Sequence, residues 1–211
     1  PNEVLIETQH VQVVHPHWCE LKELNEDGSQ FLMNPNQMHF SRIKASDLQL
    51  LNANDQDTMT GPHPPDPTAW GLHGSIHRMC PHARCLMHVH SMHATVLASL
   101  ADSTLPPIDQ NTAMFYGRHI VDTTYGGLAF AEEGERCAAL LDDPKIRIMV
   151  MGNHGVLAIG PTVADALFQL YYFERAAETY IRALQTGRRL DEGDQVRIPP
   201  ARLKEKGEAD I

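Results

Sequence analysis

Apolar residues recur at a helical period along two long stretches and at strand spacing along several short ones. Asp66-Pro67 has the form of a helix start, an N-cap followed by proline at the first helical position. The helix it opens carries Ala69, Leu72, His73, Ile76 and His77 and stops before Pro81. Arg84 to His90, RCLMHVH, reads as a buried strand, and Ser91 can cap a second helix over His93 to Leu100. Residues 103–110 form a loop around Pro106-Pro107, followed by a short helix around 110–117 and a strand near 119–123. Glu132 to Leu141 is helical. Ile146 to Met151 and Val156 to Ile159 are strands joined by the tight turn Gly152-Asn153-His154-Gly155, so part of the sheet is antiparallel. Thr162 with Asp165 is a capping pair that opens a long amphipathic helix, ended by Gly187. Residues 1–60 read as short strands and turns. There Phe31-Leu32-Met33 is an apolar run closed by Asn34-Pro35-Asn36, and 53–65 is an exposed loop. The order implies a mixed α/β fold, a sheet covered by helices. One domain spans 1–187, and 188–211 is a charged C-terminal arm.

Composition narrows the partners. The 211 residues suffice for one substantial core, and 42% hydrophobic content is that of a globular chain. A net charge of −10 disfavours phosphate backbones, so no nucleic acid is expected. No apolar run approaches the ~20 residues of a membrane span, and no segment reads as a signal peptide. Cys19, Cys80, Cys85 and Cys137 form no CxxC pairs, and reduced thiols in a cytoplasmic protein are the simpler expectation.

Histidine is abundant, with 13 in the chain. Most are scattered: His10, His15, His17, His39, His63 and His119 read as surface or core-edge residues. His88 and His90 differ, because alternation along a strand points both imidazoles the same way. His154 sits between Gly152 and Gly155, whose backbone freedom lets a ring approach another strand closely. Three imidazoles and an open position suit a catalytic divalent metal, zinc first. On spacing alone, ordinary packing of these histidines stays equally open. His73 and His77 share a helix face but lack the Glu of the zinc-protease motif. His77 reads as structural, and His73 stays a candidate. His93, a turn into the second helix, reads as packing.

The HVH strand, GNHGVLAIG, PTVADALFQLYYFERAA, MNPNQMHFSRIKASDL and PTAWGLHGSIHRMCPHARCLMHVH together resemble the class II aldolase/adducin head family over roughly residues 30–187. That resemblance implies a three-layer αβα sandwich with a central, largely antiparallel mixed sheet. It implies Zn2+ on His88, His90 and His154, a homotetramer with sites between subunits, and an enediolate stabilised by the metal. It also places Tyr116 and Gln110 near the pocket and Asn34 in the substrate-binding turn.

The departures redirect the chemistry. The acid/base Glu of the family's sugar-phosphate aldolases falls on Ala69, which can neither move a proton nor bind metal. Their phosphate-holding serines fall on Pro67 and Thr68, and a second phosphate loop falls on Pro16 and His17 without matching. The pattern looks closer to the adducin-like branch, which includes decarboxylases. Decarboxylation reaches the same enolate without a starting base and needs only a proton donor, for which His73, one turn after Ala69, and Tyr116 are the candidates. The leading expectation is a metal-dependent lyase acting on a small, unphosphorylated hydroxy- or oxo-carbonyl compound, with Thr68, Asn34 and Gln110 binding substrate. The alternatives are a non-catalytic interaction module like an adducin head and a sugar-phosphate aldolase with a substituted acid/base.

Overall fold

The computed structural model describes residues 8–13, 28–61, 64–124, 126 and 131–190. Among these residues, seven strands form one sheet: β1 (Thr8–Val13), β2 (Gln30–Met33), β3 (Gln49–Asn52), β4 (Cys85–Val89), β5 (His119–Asp122), β6 (Ile148–Met151) and β7 (Gly155–Gly160). Their order is β3-β2-β1-β4-β7-β6-β5, and every pairing is antiparallel except β5 with β6. The largely antiparallel mixed sheet implied by the family resemblance is therefore present.

Among the described residues, five α-helices flank it: α1 (Pro67–Met79), α2 (Met92–Ala98), α3 (Gln110–Ala113), α4 (Ala131–Leu140) and α5 (Val163–Gln185). Each long helix begins where the sequence says it should. The Asp66 carboxylate accepts from the Thr68 and Ala69 amides, with Pro67 at the first helical position. Thr162 Oγ1 accepts from the Asp165 amide and opens α5. Gly187, in the left-handed region at φ 65°, follows its C-cap.

Alternation along the central strands divides the core in two. Met87, Val89, Ile148, Val150, Val156 and Ala158 pack against Phe173 and Ala177 of α5 and Leu97 of α2. Leu86, Met149, Met151, Leu157 and Ile159 pack against Leu72 and Ile76 of α1 and Cys137 and Leu141 at α4. The sheet is thus the middle of three layers, and strands covered on both faces read as continuous apolar runs. The alternation puts His88 on the Leu86 face, under α1. Phe173 and Phe115 meet edge to face with centroids 5.1 Å apart, an arrangement that adds to the burial of both rings.

Several boundaries shift. The strand expected over 84–90 is shorter by a residue at each end, and the helix expected over 110–117 contracts to one turn followed by turns. The exposed loop expected over 53–65 is wrong at its start, because Ala53 is buried against Phe31, Leu51 and Ala69. His119 is more than a core-edge residue: its Nδ1 bonds the Phe115 carbonyl at 2.8 Å and its Nε2 accepts the Leu105 amide at 3.1 Å. His15, His17, His63, Pro16, Cys19 and the arm beyond Leu190 lie outside the described residues. No described helix is long and apolar enough to cross a membrane.

Candidate metal centre

His88 is the fourth residue of β4, and His90 follows the strand's last ladder residue. The pairing of Val89 with Val156 brings the start of β7 against this end of β4, and with it the turn that carries His154. The three side chains converge. His88 Nε2 lies 3.1 Å from His90 Nε2 and 3.1 Å from His154 Nε2, and the third side of the triangle is 3.3 Å. The His88 and His154 rings are parallel within 4°, and His90 stands edge-on to both. It is the one grouping of three or more potential ligands found among the described residues.

Hydrogen bonding orients this set. His88 Nδ1 lies 3.1 Å from the Val156 carbonyl, which can only accept, so Nδ1 carries the proton and Nε2 offers a lone pair. Burial holds the His90 imidazole below its ordinary pKa and keeps it a neutral ligand. Three imidazole nitrogens facing one point could hold a cation between them. Ligands about 2.0–2.1 Å from a tetrahedral zinc ion stand about 3.3 Å from one another, which matches the observed triangle. The donor set therefore fits a divalent ion with nitrogen preference, and the triad leaves a fourth position for another ligand.

Glycine makes the convergence possible. A Cβ on Gly155 would lie 2.6 Å from the Val89 carbonyl oxygen, 2.7 Å from His90 Cδ2 and 3.3 Å from His88 Cε1. Asn153 takes a left-handed conformation at φ 55°, which Asn tolerates better than most residues. Its amide donates to the Ala98 carbonyl at 2.8 Å, and the Gly152 amide donates to the Asp122 carbonyl at 2.8 Å. Asp122 is itself buried at the end of β5, where Arg136 of α4 holds both its carboxylate oxygens at 2.7 and 2.9 Å. Burial alone would raise the Asp122 carboxyl. The bonds from Arg136 and Thr124 outweigh it and keep the pKa below the ordinary value.

The other expected site residues separate into two groups. Asn34 is buried just past β2, and the Asn36 amide ties this turn to the Pro64 carbonyl, near the start of α1. Thr68 lies in the first turn of α1, its hydroxyl bonded to the Asp66 carboxylate. Ala69 packs with Phe31, Met33 and Leu51. His73 is fully buried in α1, its ring centroid 6.4 Å from that of His77. The start of α1 and the triad lie at the same end of the sheet, because α1 runs antiparallel to β4. Gln110 and Tyr116 do not join them. Both are exposed and precede β5, whose first residue pairs with Ile148, whereas His154 follows the far end of β6. The length of β5 alone, about 10 Å at ~3.3 Å per residue, separates them from the triad within one chain. A cavity of about 220 Å3 lined by Arg147, Gly160, Asp165, Phe168 and Gln169 also lies at that remote end and is unconnected with the histidines.

Residues 20–181 match the family described as class II aldolase and adducin N-terminal domain. Decarboxylase NovR of Streptomyces niveus is 26% identical over 164 residues, covering 77% of this chain and 60% of that protein. Human β-adducin is 27% identical over 180 residues, covering 80% of this chain and 24% of that protein. The chain thus spans less than two thirds of these relatives. The crystal structure of an aldolase II superfamily protein from Pseudomonas syringae superposes with a TM-score of 0.75 at 25% identity, covering 97% of this chain and 76% of that one.

Proposed function

Since the chain belongs to the class II aldolase and adducin N-terminal domain family, we propose that it is a metal-dependent lyase cleaving a carbon–carbon bond in a small, unphosphorylated hydroxy- or oxo-carbonyl compound, by decarboxylation in preference to aldol cleavage. The observation that carries this reading is the triangle of imidazole nitrogens, with an alanine rather than a carboxylate at position 69 at the same end of the sheet. His88, His90 and His154 would hold the ion, with Zn2+ best suited to an all-imidazole set. When bound, the ion supplies Lewis-acid stabilisation of the negative charge that develops as carbon dioxide or an aldehyde departs.

The protein's own groups favour decarboxylation. Ala69 offers no base to start a retro-aldol reaction, and its apolar neighbours provide no substitute. Thr68 already serves the Asp66 cap, and Pro67 has no amide hydrogen, so little is left there to hold a phosphate. Loss of carbon dioxide needs only a donor to the resulting carbanion. His73, in α1 on the triad's side of the sheet, is the candidate within the chain. Tyr116 could serve only across a subunit interface, because its own triad is at the other end of the sheet. That position agrees with the expected homotetramer, as do the exposed Leu167, Phe168 and Tyr171 on α5. Asn34 lies at the triad's end of the sheet and suits substrate contact. Gln110 shares the Tyr116 constraint. Similarity to a decarboxylase and to an adducin supports this branch of the family over the sugar-phosphate enzymes.

The test is release of carbon dioxide or aldehyde from a panel of small oxo- and hydroxy-acids, before chelation, after it, and after zinc is restored. Chelation is expected to lower turnover roughly 100-fold or more, and zinc to restore it. Tight zinc without turnover on any compound would favour a non-catalytic module like the adducin head. Efficient cleavage of fuculose or ribulose phosphate would overturn the unphosphorylated substrate.

A further inference from the structure

The short helix α2 connects two of the three histidines. It begins directly after His90, with Ser91 as its N-cap residue. It ends on Ala98, whose carbonyl accepts the amide of Asn153, the residue before His154. α2 is therefore a strut between the segments that carry His90 and His154.

The fastening of its N-terminus is unusual. Ser91 makes no capping bond with its own helix, and the first turn, Met92-His93-Ala94, contains no acidic residue. The missing acceptor comes from α5. Glu174, 8% exposed, receives four hydrogen bonds from this corner. Ser91 Oγ donates to Oε2 at 2.6 Å and the Ala94 amide at 3.0 Å; the His93 amide and His93 Nδ1 each reach Oε1 at 2.9 Å. Burial alone would raise the carboxyl. These bonds outweigh it and keep it ionised below its ordinary pKa. A buried carboxylate with every partner in one four-residue segment fixes that segment against α5, and charge-assisted bonds of this kind are the strong ones.

We propose that Glu174 is a positioning residue for the metal centre: by clamping the start of α2 it sets the spacing between His90 and His154. The proposal rests on the reading of the three histidines as metal ligands. Glu174 touches none of them. It acts through Ser91 and through the strut, as outer partners of a metal site commonly do.

The experiment is zinc affinity by chelator competition, together with the visible spectrum of the cobalt(II)-loaded protein. It compares wild type with Glu174→Gln, Ser91→Ala, Phe173→Leu and His88→Ala, all below their unfolding temperatures. Glutamine keeps the size but replaces one acceptor oxygen with an amide donor that faces other donors. Glu174→Gln is expected to weaken zinc binding about 10- to 100-fold and to change the cobalt spectrum. Ser91→Ala removes one bond of the clamp, so it gives a smaller shift in the same direction and carries the test if Glu174→Gln does not fold. Phe173→Leu disturbs the neighbouring core position of α5 and lowers stability, yet is expected to leave affinity and spectrum at wild-type values. Wild-type affinity and spectrum in both clamp variants would overturn the proposal, as would an equal loss in Phe173→Leu. A wild-type protein that binds zinc no better than His88→Ala would overturn the metal reading itself, and the positioning role with it.

Discussion

Alanine at position 155 is expected to destroy tight metal binding. The added methyl has no free space. It falls 2.6 Å from the Val89 carbonyl oxygen and 2.7 Å from His90 Cδ2, both far inside van der Waals contact, with His88 Cε1 at 3.3 Å. The backbone oxygen cannot yield, because β4 is paired on both sides. The His90 ring must therefore swing away, or the turn must open. Either movement exceeds the ~0.5 Å that a ligand constellation tolerates. Zinc affinity is expected to fall on the order of 100-fold or more. Overpacking costs about 1–3 kcal/mol, which lowers the unfolding midpoint by several degrees in a domain of this size. Chelator competition and thermal unfolding measure the two effects. Gly152→Ala is a graded comparison, since its nearest contact would be 3.0 Å, to the Asp122 carbonyl oxygen. Wild-type zinc affinity in Gly155→Ala would show that the triad does not depend on this close approach.

The second large effect is on acid stability, and it comes from His77. Its Nδ1 donates to the Ala83 carbonyl at 3.0 Å, while Nε2 is buried with no partner among the described residues. Burial lowers its pKa from 6.5 to about 3, with the Ala83 bond opposing weakly. Because the folded value lies below the unfolded one, the unfolded chain takes up the proton first as pH falls. Stability from the neutral ring is complete above about pH 6.5, declines through the interval down to about pH 3, and levels off below it. A difference of this size is on the order of 5 kcal/mol, comparable with the whole stability of a small domain. About 3 kcal/mol of it is lost by pH 4.5, where most carboxylates are still ionised. His77→Asn places an amide donor near Nδ1 but cannot titrate. It is expected to be somewhat less stable at pH 7, yet to lose stability less steeply between pH 6 and 4, by up to ~1.4 kcal/mol per pH unit. Denaturant unfolding at several pH values gives both slopes. Equal slopes would remove His77 as the acid-sensitive group.

The triad was legible because its signals are local. One residue of spacing on a strand fixes the relative direction of His88 and His90, and two glycines around His154 announce a turn with close contacts. The caps of α1 and α5 were legible for the same reason: Asp66-Pro67 and Thr162 with Asp165 complete their bonds within four residues. What the chain hides is non-local. Glu174 looks like one polar position in an amphipathic helix, and its partners lie about eighty residues earlier. The signal that could have found it is negative, a first turn at Met92-His93-Ala94 that has donors but no acid. Asp122 and Arg136 likewise give no pattern until β5 and α4 are in place. Tyr116 and Gln110 stand apart from the triad within one chain. Their distance from the triad follows from β5 running parallel to β6, which no local motif encodes.

Metal content after equilibration with zinc and exhaustive dialysis tests the metal centre most directly. Wild-type protein is expected to retain about one zinc ion per chain, and His154→Ala, which removes one of three ligands, to retain almost none. Full retention of one tightly held ion by His154→Ala would contradict a centre built on His88, His90 and His154.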